Sequence, residues 1–312
     1  MSGVFGVGLA RSLGLVTAPD PLAEISPDGP ALGKLMILGR QQPDAWRGAK
    51  FATCDLMQPG VLGQFIEKYR PHAVLHAAAM ARPADCEQDP AAAWRINAES
   101  TVDAAWVAQK YGTRMVFFST DQVFDGTAST YAETAERCPL QVYGKTKAVA
   151  EDEVLAAGGI VVRLPLLMGA EGAPGHMGAD QVLLEASLRG ESVGLFHDEV
   201  RAPADAALLA PPIWRLLSYK PLPEEAQKGR LYHLAGADAV SRYQLGERVC
   251  EAAGIAFQHG RMSVAEWQGV PRPPRLVLTC ARAERELNFQ PPDLRQSLAR
   301  VERLRSAGKF ES

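Results

Sequence analysis

The sequence predicts a doubly wound α/β fold, because short apolar runs alternate with helical stretches from about Phe51 onward. The clearest strands are residues 72–78, 114–120 and 160–164. At 312 residues, with 47% hydrophobic and 22% charged residues, the chain can bury a substantial core as an ordinary globular protein.

The helices between these strands have clear ends. Residues 90–111 carry apolar side chains at helical spacing and stop at Gly112, a typical helix-ending residue. Residues 143–157 form the next predicted helix, which Gly158 closes just before the strand at Ile160. Because a helix joins each strand to the next, we expect the strands to be parallel.

Two domains are predicted, because the amino-acid composition and the regularity of the strands change beyond Pro165. Prolines become more frequent there, and the strands near residues 192–196 and 231–234 are less regular. We therefore predict a dinucleotide-binding domain over residues 1–165. A smaller, mainly substrate-binding lobe is predicted over residues 166–312, with some segments returning to the sheet of the first domain.

The N-terminal stretch contains Gly3 and Gly6 in what looks like a turn opening a helix, which lets backbone amides approach a pyrophosphate. The alternative is a flexible or close-packed N-terminal turn. No strand precedes it, and the next one is predicted only at residues 35–38, so we expect a Rossmann-like sheet whose first strand is missing or rebuilt. Arg40, just past that strand, could face a 2′-phosphate and favour NADPH over NADH, or it could be a solvated surface arginine.

Charge and composition exclude several classes of partner. A net charge of -3 without a basic stripe argues against nucleic acid, and no apolar run reaches the 18 or so residues of a membrane span. Neither the five cysteines nor the six histidines show paired metal-ligand spacing, so no metal site is expected. We expect a cytoplasmic protein with reduced thiols.

Tyr143 and Lys147 are four residues apart and should share one face of a helix. They follow the strand that ends at Ser119 and Thr120, and ligands of doubly wound sheets lie outside the carboxyl ends of the strands. The strand ends near residues 77–79 and at Pro165 should reach the same rim.

This constellation suits the reduction of a ketone, which needs a hydride and a proton. Tyr143 would donate the proton, Lys147 would lower the pKa of the phenol, and Thr120 would hydrogen bond to the developing charge. Nicotinamide would supply the hydride. The alternative is that Tyr143 caps a helix, Lys147 is solvated and Thr120 bonds to backbone.

The run at residues 118–126, Phe-Ser-Thr-Asp-Gln-Val-Phe-Asp-Gly, and the run at 139–147, Pro-Leu-Gln-Val-Tyr-Gly-Lys-Thr-Lys, resemble a known family. They are similar to extended short-chain dehydrogenases/reductases, namely the dTDP-4-dehydrorhamnose reductases and the related regulatory β-subunit of methionine adenosyltransferase. Gln122 stands where a tyrosine is often found beside the sugar, and Thr279 where an aspartate is usual.

The resemblance implies NADPH or NADH as cofactor and a 4-keto deoxysugar nucleotide as substrate, and Arg40 gives NADPH a slight preference. The candidate cofactor contacts are Gly3, Gly6, Arg40, Asp55, Leu56, Ala77, Ala78, Ala79, Asn97, Ser119, Tyr143, Lys147 and Pro165. The candidate substrate contacts are Asp121, Gln122, Val123, Phe124 and Arg272.

Two other functions stay open at this stage. One is a non-catalytic, dinucleotide-binding regulatory subunit, which the resemblance to the β-subunit and the incomplete Gly-rich turn favour. The other is an epimerase or dehydratase of the same fold, with Asp121 as the additional acid or base.

A homodimer is an open option for the assembly. The acidic residues 151–153 are interpreted as a solvated helix face.

Overall fold

The computed structural model describes residues 36–40, 50–169, 178–218 and 230–309. The predicted turn at Gly3 and Gly6 lies outside these residues, and the missing first strand therefore stays a prediction. Where the chain is described, the strands are β1 Met36–Gly39, β2 Lys50–Thr53, β3 Ala73–His76, β4 Arg114–Thr120, β5 Ile160–Leu164, β6 Leu167–Met168, β7 Gly194–Phe196, β8 Val200–Arg201, β9 Ala204–Asp205, β10 Arg230–His233, β11 Val240–Ser241, β12 Gly260–Met262 and β13 Arg275–Leu276.

The helices alternate with these strands along the chain. They are α1 Val61–Tyr69, α2 Pro83–Gln88, α3 Pro90–Trp94, α4 Ser100–Lys110, α5 Val142–Ala156, α6 Ala179–Leu188, α7 Ala210–Ser218, α8 Arg242–Ala253, α9 Ala281–Leu287 and α10 Leu294–Ser306. A π-helical turn, Arg95–Glu99, joins α3 to α4, and short 3₁₀ turns cover Asp121–Val123 and Val264–Glu266. The single helix predicted over residues 90–111 is thus interrupted by the π turn.

The central sheet has four parallel strands in the order β10-β5-β4-β3. β1 and β2 form a separate parallel pair. The predicted α/β class with parallel strands is confirmed. β10 comes from late in the chain and pairs with β5. In this pairing Arg230 lies opposite Ile160. The division of the chain at residue 165 stays a prediction.

Both faces of the central sheet are buried, as continuous apolar strands require. Along β4, Met115 and Phe117 point to a cluster formed with α1, α4 and α5. Val116 and Phe118 point to the opposite cluster, which includes residues of α7 and α9. This alternation follows from the period of two in a strand and places α5 directly against β4.

A third apolar cluster lies in the C-terminal part of the chain. It joins Leu183 of α6, Leu245 of α8 and Leu298 of α10. The N-termini of α8 and α10 are closed by capping boxes, with Ser241 and Asp293 as the N-cap residues. The first residue of α8, Arg242, belongs to a group of charged side chains at the site described next.

Candidate active site

The carboxyl ends of β3, β4 and β5 form one rim, where the predicted site residues lie. Ser119 is paired in register with Arg163, and Thr120 with Leu164. Ala77, Ala78 and Ala79 follow β3 directly and are half-buried, whereas Pro165 follows β5 and is buried. The hydroxyl of Ser119 is buried and has no hydrogen-bond partner among the described residues.

The start of α5 is held by contacts to two neighbouring segments. The Val142 amide donates a hydrogen bond of 2.7 Å to the Glu87 carboxylate of α2. Gly144 packs against the 3₁₀ turn, because a Cβ atom there would lie only 2.2 Å from the Gln122 carbonyl oxygen. These two contacts fix Tyr143, which lies between them, at the end of β4.

Tyr143 and Thr120 meet at this rim. The Thr120 side chain lies near the Tyr143 phenol and favours its ionised form, and Tyr143 is only 8% exposed. Burial raises the pKa of Tyr143 well above its ordinary value, and the contact with Thr120 only partly offsets this effect. The predicted lowering of the phenol pKa is therefore wrong for this structure, since desolvation outweighs the favourable contacts.

Lys147 lies one helical turn further along α5 and is 2% exposed. Its ammonium nitrogen is 4.1 Å from the centroid of the Phe117 ring, a cation–π contact beneath the sheet rim. Burial lowers the pKa of Lys147 to about 7, against the opposing influence of the Glu151 carboxylate. Of the alternatives weighed for this residue, a solvated lysine is excluded.

Glu151 is completely buried, which corrects the interpretation of residues 151–153 as a solvated helix face at this residue, whereas Asp152 is exposed. Its two carboxylate oxygens accept hydrogen bonds of 2.9 and 2.7 Å from Arg163 of β5, and Arg137 donates a third of 3.1 Å. Arg163 in turn lies 3.2 Å from the ring nitrogen of His233 on β10. A buried carboxylate needs such partners, and here they join α5 to two strands.

Asn97 lies in the π turn and holds the loop that follows β3. Its side-chain oxygen accepts from the Met80 amide at 2.8 Å, and its nitrogen donates to the Met80 carbonyl at 3.0 Å and to Thr146 at 3.2 Å. The side-chain amide, predicted to contact the cofactor, is thus engaged in positioning the loop against α5. A π turn at such a place is typical of functional sites.

Asp121 follows Thr120 and is only 3% exposed. One carboxylate oxygen lies 3.2 Å from the Thr120 hydroxyl, and the other is buried without a hydrogen-bond partner in the described parts of the chain. Burial raises the pKa of Asp121 to about 6, although Arg201 and the hydrogen bond from Thr120 act to lower it. An acid of this kind can hold a proton close to neutral pH.

The other predicted substrate contacts on this turn divide into two groups. Gln122 is half-buried. Val123 and Phe124 are completely buried, and the Phe124 ring stacks on Tyr131 with 4.1 Å between the ring centroids and also contacts the Arg163 guanidinium. The structure corrects the prediction for these two residues, because side chains enclosed in the core are not available to a substrate.

The segment predicted to hold the adenosine half of the cofactor follows β1 and β2. Arg40 is exposed directly after β1. The Asp55 carboxylate accepts a hydrogen bond of 3.1 Å from the Met57 amide, and Leu56 packs on the core. These positions leave the predicted cofactor contacts of Arg40, Asp55 and Leu56 as predictions.

Arg272 belongs to a cluster of charged side chains that sequence reasoning did not find. It donates two hydrogen bonds, of 2.8 and 3.0 Å, to the buried Glu199, which also accepts one of 2.8 Å from Arg201. Arg242 carries a buried guanidinium nitrogen without a partner among the described residues. The spacing of Glu199 and Arg201, two apart on an extended segment, was the one available signal.

The described residues contain no group of three or more His, Cys, Asp or Glu side chains that could hold a metal ion. None of their helices is both long enough and apolar enough to cross a lipid bilayer.

Comparisons with curated proteins give two informative relatives. The chain is 28% identical over 238 residues to methionine adenosyltransferase 2 subunit beta of Pongo abelii, covering 75% of this chain and 71% of that protein. It is 29% identical over 245 residues to the probable low-salt glycan biosynthesis reductase Agl14 of Haloferax volcanii, covering 77% and 79%.

Solved structures share the fold. A dTDP-4-dehydrorhamnose reductase from Bacillus anthracis, in complex with NADP, has a TM-score of 0.71 at 20% identity, covering 85% of this chain and 97% of that one. A UDP-glucose 4-epimerase from Thermotoga maritima, with UDP-glucose, has a TM-score of 0.78 at 18% identity, covering 98% and 97%. The model of the RmlD substrate binding domain family matches residues 33–305, and the chain therefore belongs to that family.

Proposed function

We propose that this protein reduces the 4-keto group of a nucleotide-linked deoxysugar with NADPH or NADH. The observation that carries this proposal is the contact between Tyr143 and Thr120 at the carboxyl edge of a parallel sheet, with Lys147 buried one turn along the same helix. Membership in the RmlD family and the reductase among the relatives support the same class of reaction.

The rim fits a nicotinamide cofactor. The edge of the sheet carries three small, half-buried residues, Ala77, Ala78 and Ala79. The buried Ser119 hydroxyl has no hydrogen-bond partner in the described chain, so it remains available to bind a polar group of the cofactor. When bound there, the cofactor supplies the hydride. Arg40 would face a 2′-phosphate and favour NADPH, which matches the NADP bound by the Bacillus anthracis reductase.

Tyr143 would donate its proton to the oxygen of the carbonyl as negative charge develops there. Its raised pKa keeps the phenol protonated before the reaction. Thr120 would donate a hydrogen bond to the same oxygen, and the nearby Lys147 would stabilise the phenolate that Tyr143 becomes. Besides the hydride, the site would thus supply a proton donor, an oxyanion partner and a cation for the reduction of a ketone.

The charged cluster in the C-terminal part of the chain would receive the diphosphate of the nucleotide. Arg201, Arg242 and Arg272 carry three positive charges against the carboxylates of Glu199 and Asp121. Arginine recognises phosphate through its planar fork of N–H donors. Glu199 would hold two of these guanidinium groups in place before the substrate arrives.

The test is Tyr143→Phe, assayed by NADPH oxidation with a panel of nucleotide 4-ketosugars. We expect the loss of the proton donor to reduce kcat roughly 10²- to 10⁴-fold. Tyr69→Phe is the matched control, because Tyr69 is exposed on α1 and should keep full turnover. Unchanged turnover in the Tyr143 variant, with folding intact by circular dichroism, would contradict the proposal.

The second candidate is a dinucleotide-binding regulatory subunit. The observation in its favour is the 28% identity to a subunit of methionine adenosyltransferase. Fluorescence titration with NADPH separates the two functions when it is combined with the same panel. A wild-type protein that binds NADPH but turns over no nucleotide sugar would favour the subunit.

An epimerase or dehydratase is the third candidate, because Asp121 lies beside Thr120 as an additional acid. Nuclear magnetic resonance of the products decides between the reactions. A reductase consumes one NADPH for each sugar converted, whereas an epimerase or dehydratase changes the sugar without net oxidation of the cofactor.

A further inference from the structure

We infer that Asp121 is the proton source that returns Tyr143 to its protonated form after each reduction, with the Thr120 hydroxyl as the relay between them. This inference rests on the proposed reductase function and adds a role to the site that the family resemblance does not give. It assigns to Asp121 a task distinct from holding the substrate.

The three groups form a continuous path. The Thr120 side chain lies near the Tyr143 phenol, whose ionised form it favours, and its hydroxyl lies 3.2 Å from the Asp121 carboxylate. The amide of Gln122 donates to the same hydroxyl at 3.2 Å and fixes its place at the end of β4. A hydroxyl both donates and accepts, so a proton can pass through it without movement of the backbone.

The second carboxylate oxygen of Asp121 distinguishes this group from a structural carboxylate. It is buried and has no hydrogen-bond partner in the described residues. Asp125, four residues along, accepts from the Thr127 amide, the Thr127 hydroxyl and the Tyr131 phenol. A buried carboxylate with so few partners is costly, and protonation relieves that cost.

The groups that face Asp121 come from three elements. Thr120 on β4 and Arg201 on β8 favour its ionised form, whereas Glu199, just before β8, opposes ionisation. Tyr143 on α5 responds to the same charge, because an ionised Asp121 raises the pKa of the phenol. A protonated Asp121 therefore makes Tyr143 a better proton donor and is itself the donor that resets it.

The proton balance is complete. In the reduction, hydride goes to the carbonyl carbon and the Tyr143 proton goes to the carbonyl oxygen, which leaves an alcohol and a phenolate. The phenolate then takes the proton of the Thr120 hydroxyl while that oxygen takes the proton of the Asp121 carboxyl group. Asp121 is left ionised and regains a proton from solvent water when the product leaves.

The experiment is Asp121→Asn, which keeps the shape of the side chain but cannot supply the proton. We expect the first hydride transfer, followed by stopped flow with NADPH and the nucleotide 4-ketosugar that the panel identifies, to change less than about threefold. Turnover over many cycles should fall roughly 10- to 100-fold. In the wild type, turnover should increase as the pH falls through about 6, and the variant should lose this dependence.

Asp125→Asn is the matched control, since it removes a carboxylate from the segment just after the 3₁₀ turn without touching the path, and it should keep the wild-type pH profile. If the Asp121 variant does not fold, the wild type still decides: D₂O should slow repeated turnover more than the first hydride transfer. An equal effect of D₂O, or a wild-type pH profile and kcat in Asp121→Asn, would overturn the relay alone. A wild type that reduces none of the nucleotide 4-ketosugars in the panel would overturn the proposed function, and the relay with it.

Discussion

At the scale of single residues, burial controls the protonation states of the candidate site. It raises the pKa of Tyr143, lowers that of Lys147 to about 7 and raises that of Asp121 to about 6. In each case the low-polarity surroundings favour the neutral form. His76 follows the same rule, because burial lowers its pKa to about 3 and leaves a neutral ring beside Thr101.

Lys147 should therefore make stability depend on pH. Its pKa is about 7 in the folded chain and 10.5 ordinarily, so between these values the unfolded chain binds a proton that the folded chain lacks. Stability then increases with pH over this window. We expect Lys147→Met to be more stable than the wild type below pH 7. Its free energy of unfolding should be higher by about 1.4 kcal/mol for each unit by which folding lowers the pKa of Lys147.

Urea denaturation at several pH values measures this difference, which should shrink as the pH rises from 7 to 10.5. Lys145→Met is the control, because Lys145 is exposed on the same helix and its removal should have no such pH dependence. A Lys147 variant less stable than the wild type at pH 6 would show that the buried ammonium stabilises the fold.

At the scale of elements, α5 organises the site. Its first amide is bound by Glu87, its side chain Glu151 binds Arg163 on β5, and Thr146 receives a hydrogen bond from Asn97. The helix is thereby joined to α2, to the sheet and to the π turn. Gly144 has a separate part, because the 3₁₀ turn with Asp121 rests against its backbone.

Gly144→Ala should separate helix propensity from packing. In an open helix this change would stabilise the protein by about 1 kcal/mol. Here the added methyl group would lie 2.2 Å from the Gln122 carbonyl oxygen, and the turn must move away. We expect a loss of about 1–3 kcal/mol in urea denaturation, together with reduced turnover, because Thr120 and Asp121 shift with the turn.

Gly260→Ala is the comparison for this variant, since the nearest atom to a Cβ at that position is 3.9 Å away. That change should leave both stability and turnover close to the wild type. If Gly144→Ala were as stable and as active as Gly260→Ala, the close contact between helix and turn would not matter to the site.

At the scale of the whole molecule, the candidate site is completed by charges from distant parts of the sequence. Glu199 lies just before β8 and Arg201 lies on it, Arg272 lies just before β13, and Arg242 begins α8. Glu199 binds two of the arginines. The charges of Glu199 and Arg201 also affect the pKa of Asp121 at the rim of the sheet. The cluster therefore connects the proposed diphosphate contacts with the proposed proton path.

Arg272→Ala should weaken nucleotide-sugar binding more than it affects the chemical step. A hydrogen bond to a charged group contributes about 1.5–3 kcal/mol, so we expect KM to rise roughly 10- to 100-fold with a smaller change in kcat. Arg261→Ala, which alters an exposed arginine on β12, should leave both constants unchanged. Steady-state kinetics with NADPH in excess measures the split, and a loss confined to kcat would contradict the assignment.

The sequence by itself determined the elements and the local motif. Short apolar runs located β4 and β5 at the bounds that the structure has, and the spacing of Tyr143 and Lys147 placed both on one helix at the end of β4. These features follow from side-chain order along the chain, which repeats with the period of the element. The family resemblance rests on the same local runs.

Only the tertiary structure decided the burial and the long-range partners. Residues 151–153 read as a solvated face, yet Glu151 is buried because Arg163 on β5 and Arg137 reach it from other segments. Phe124, predicted to contact the substrate, is likewise buried in the core, because Tyr131 stacks on its ring. A pKa depends on the solvent and charge around a group in three dimensions, so the order of residues alone does not fix it.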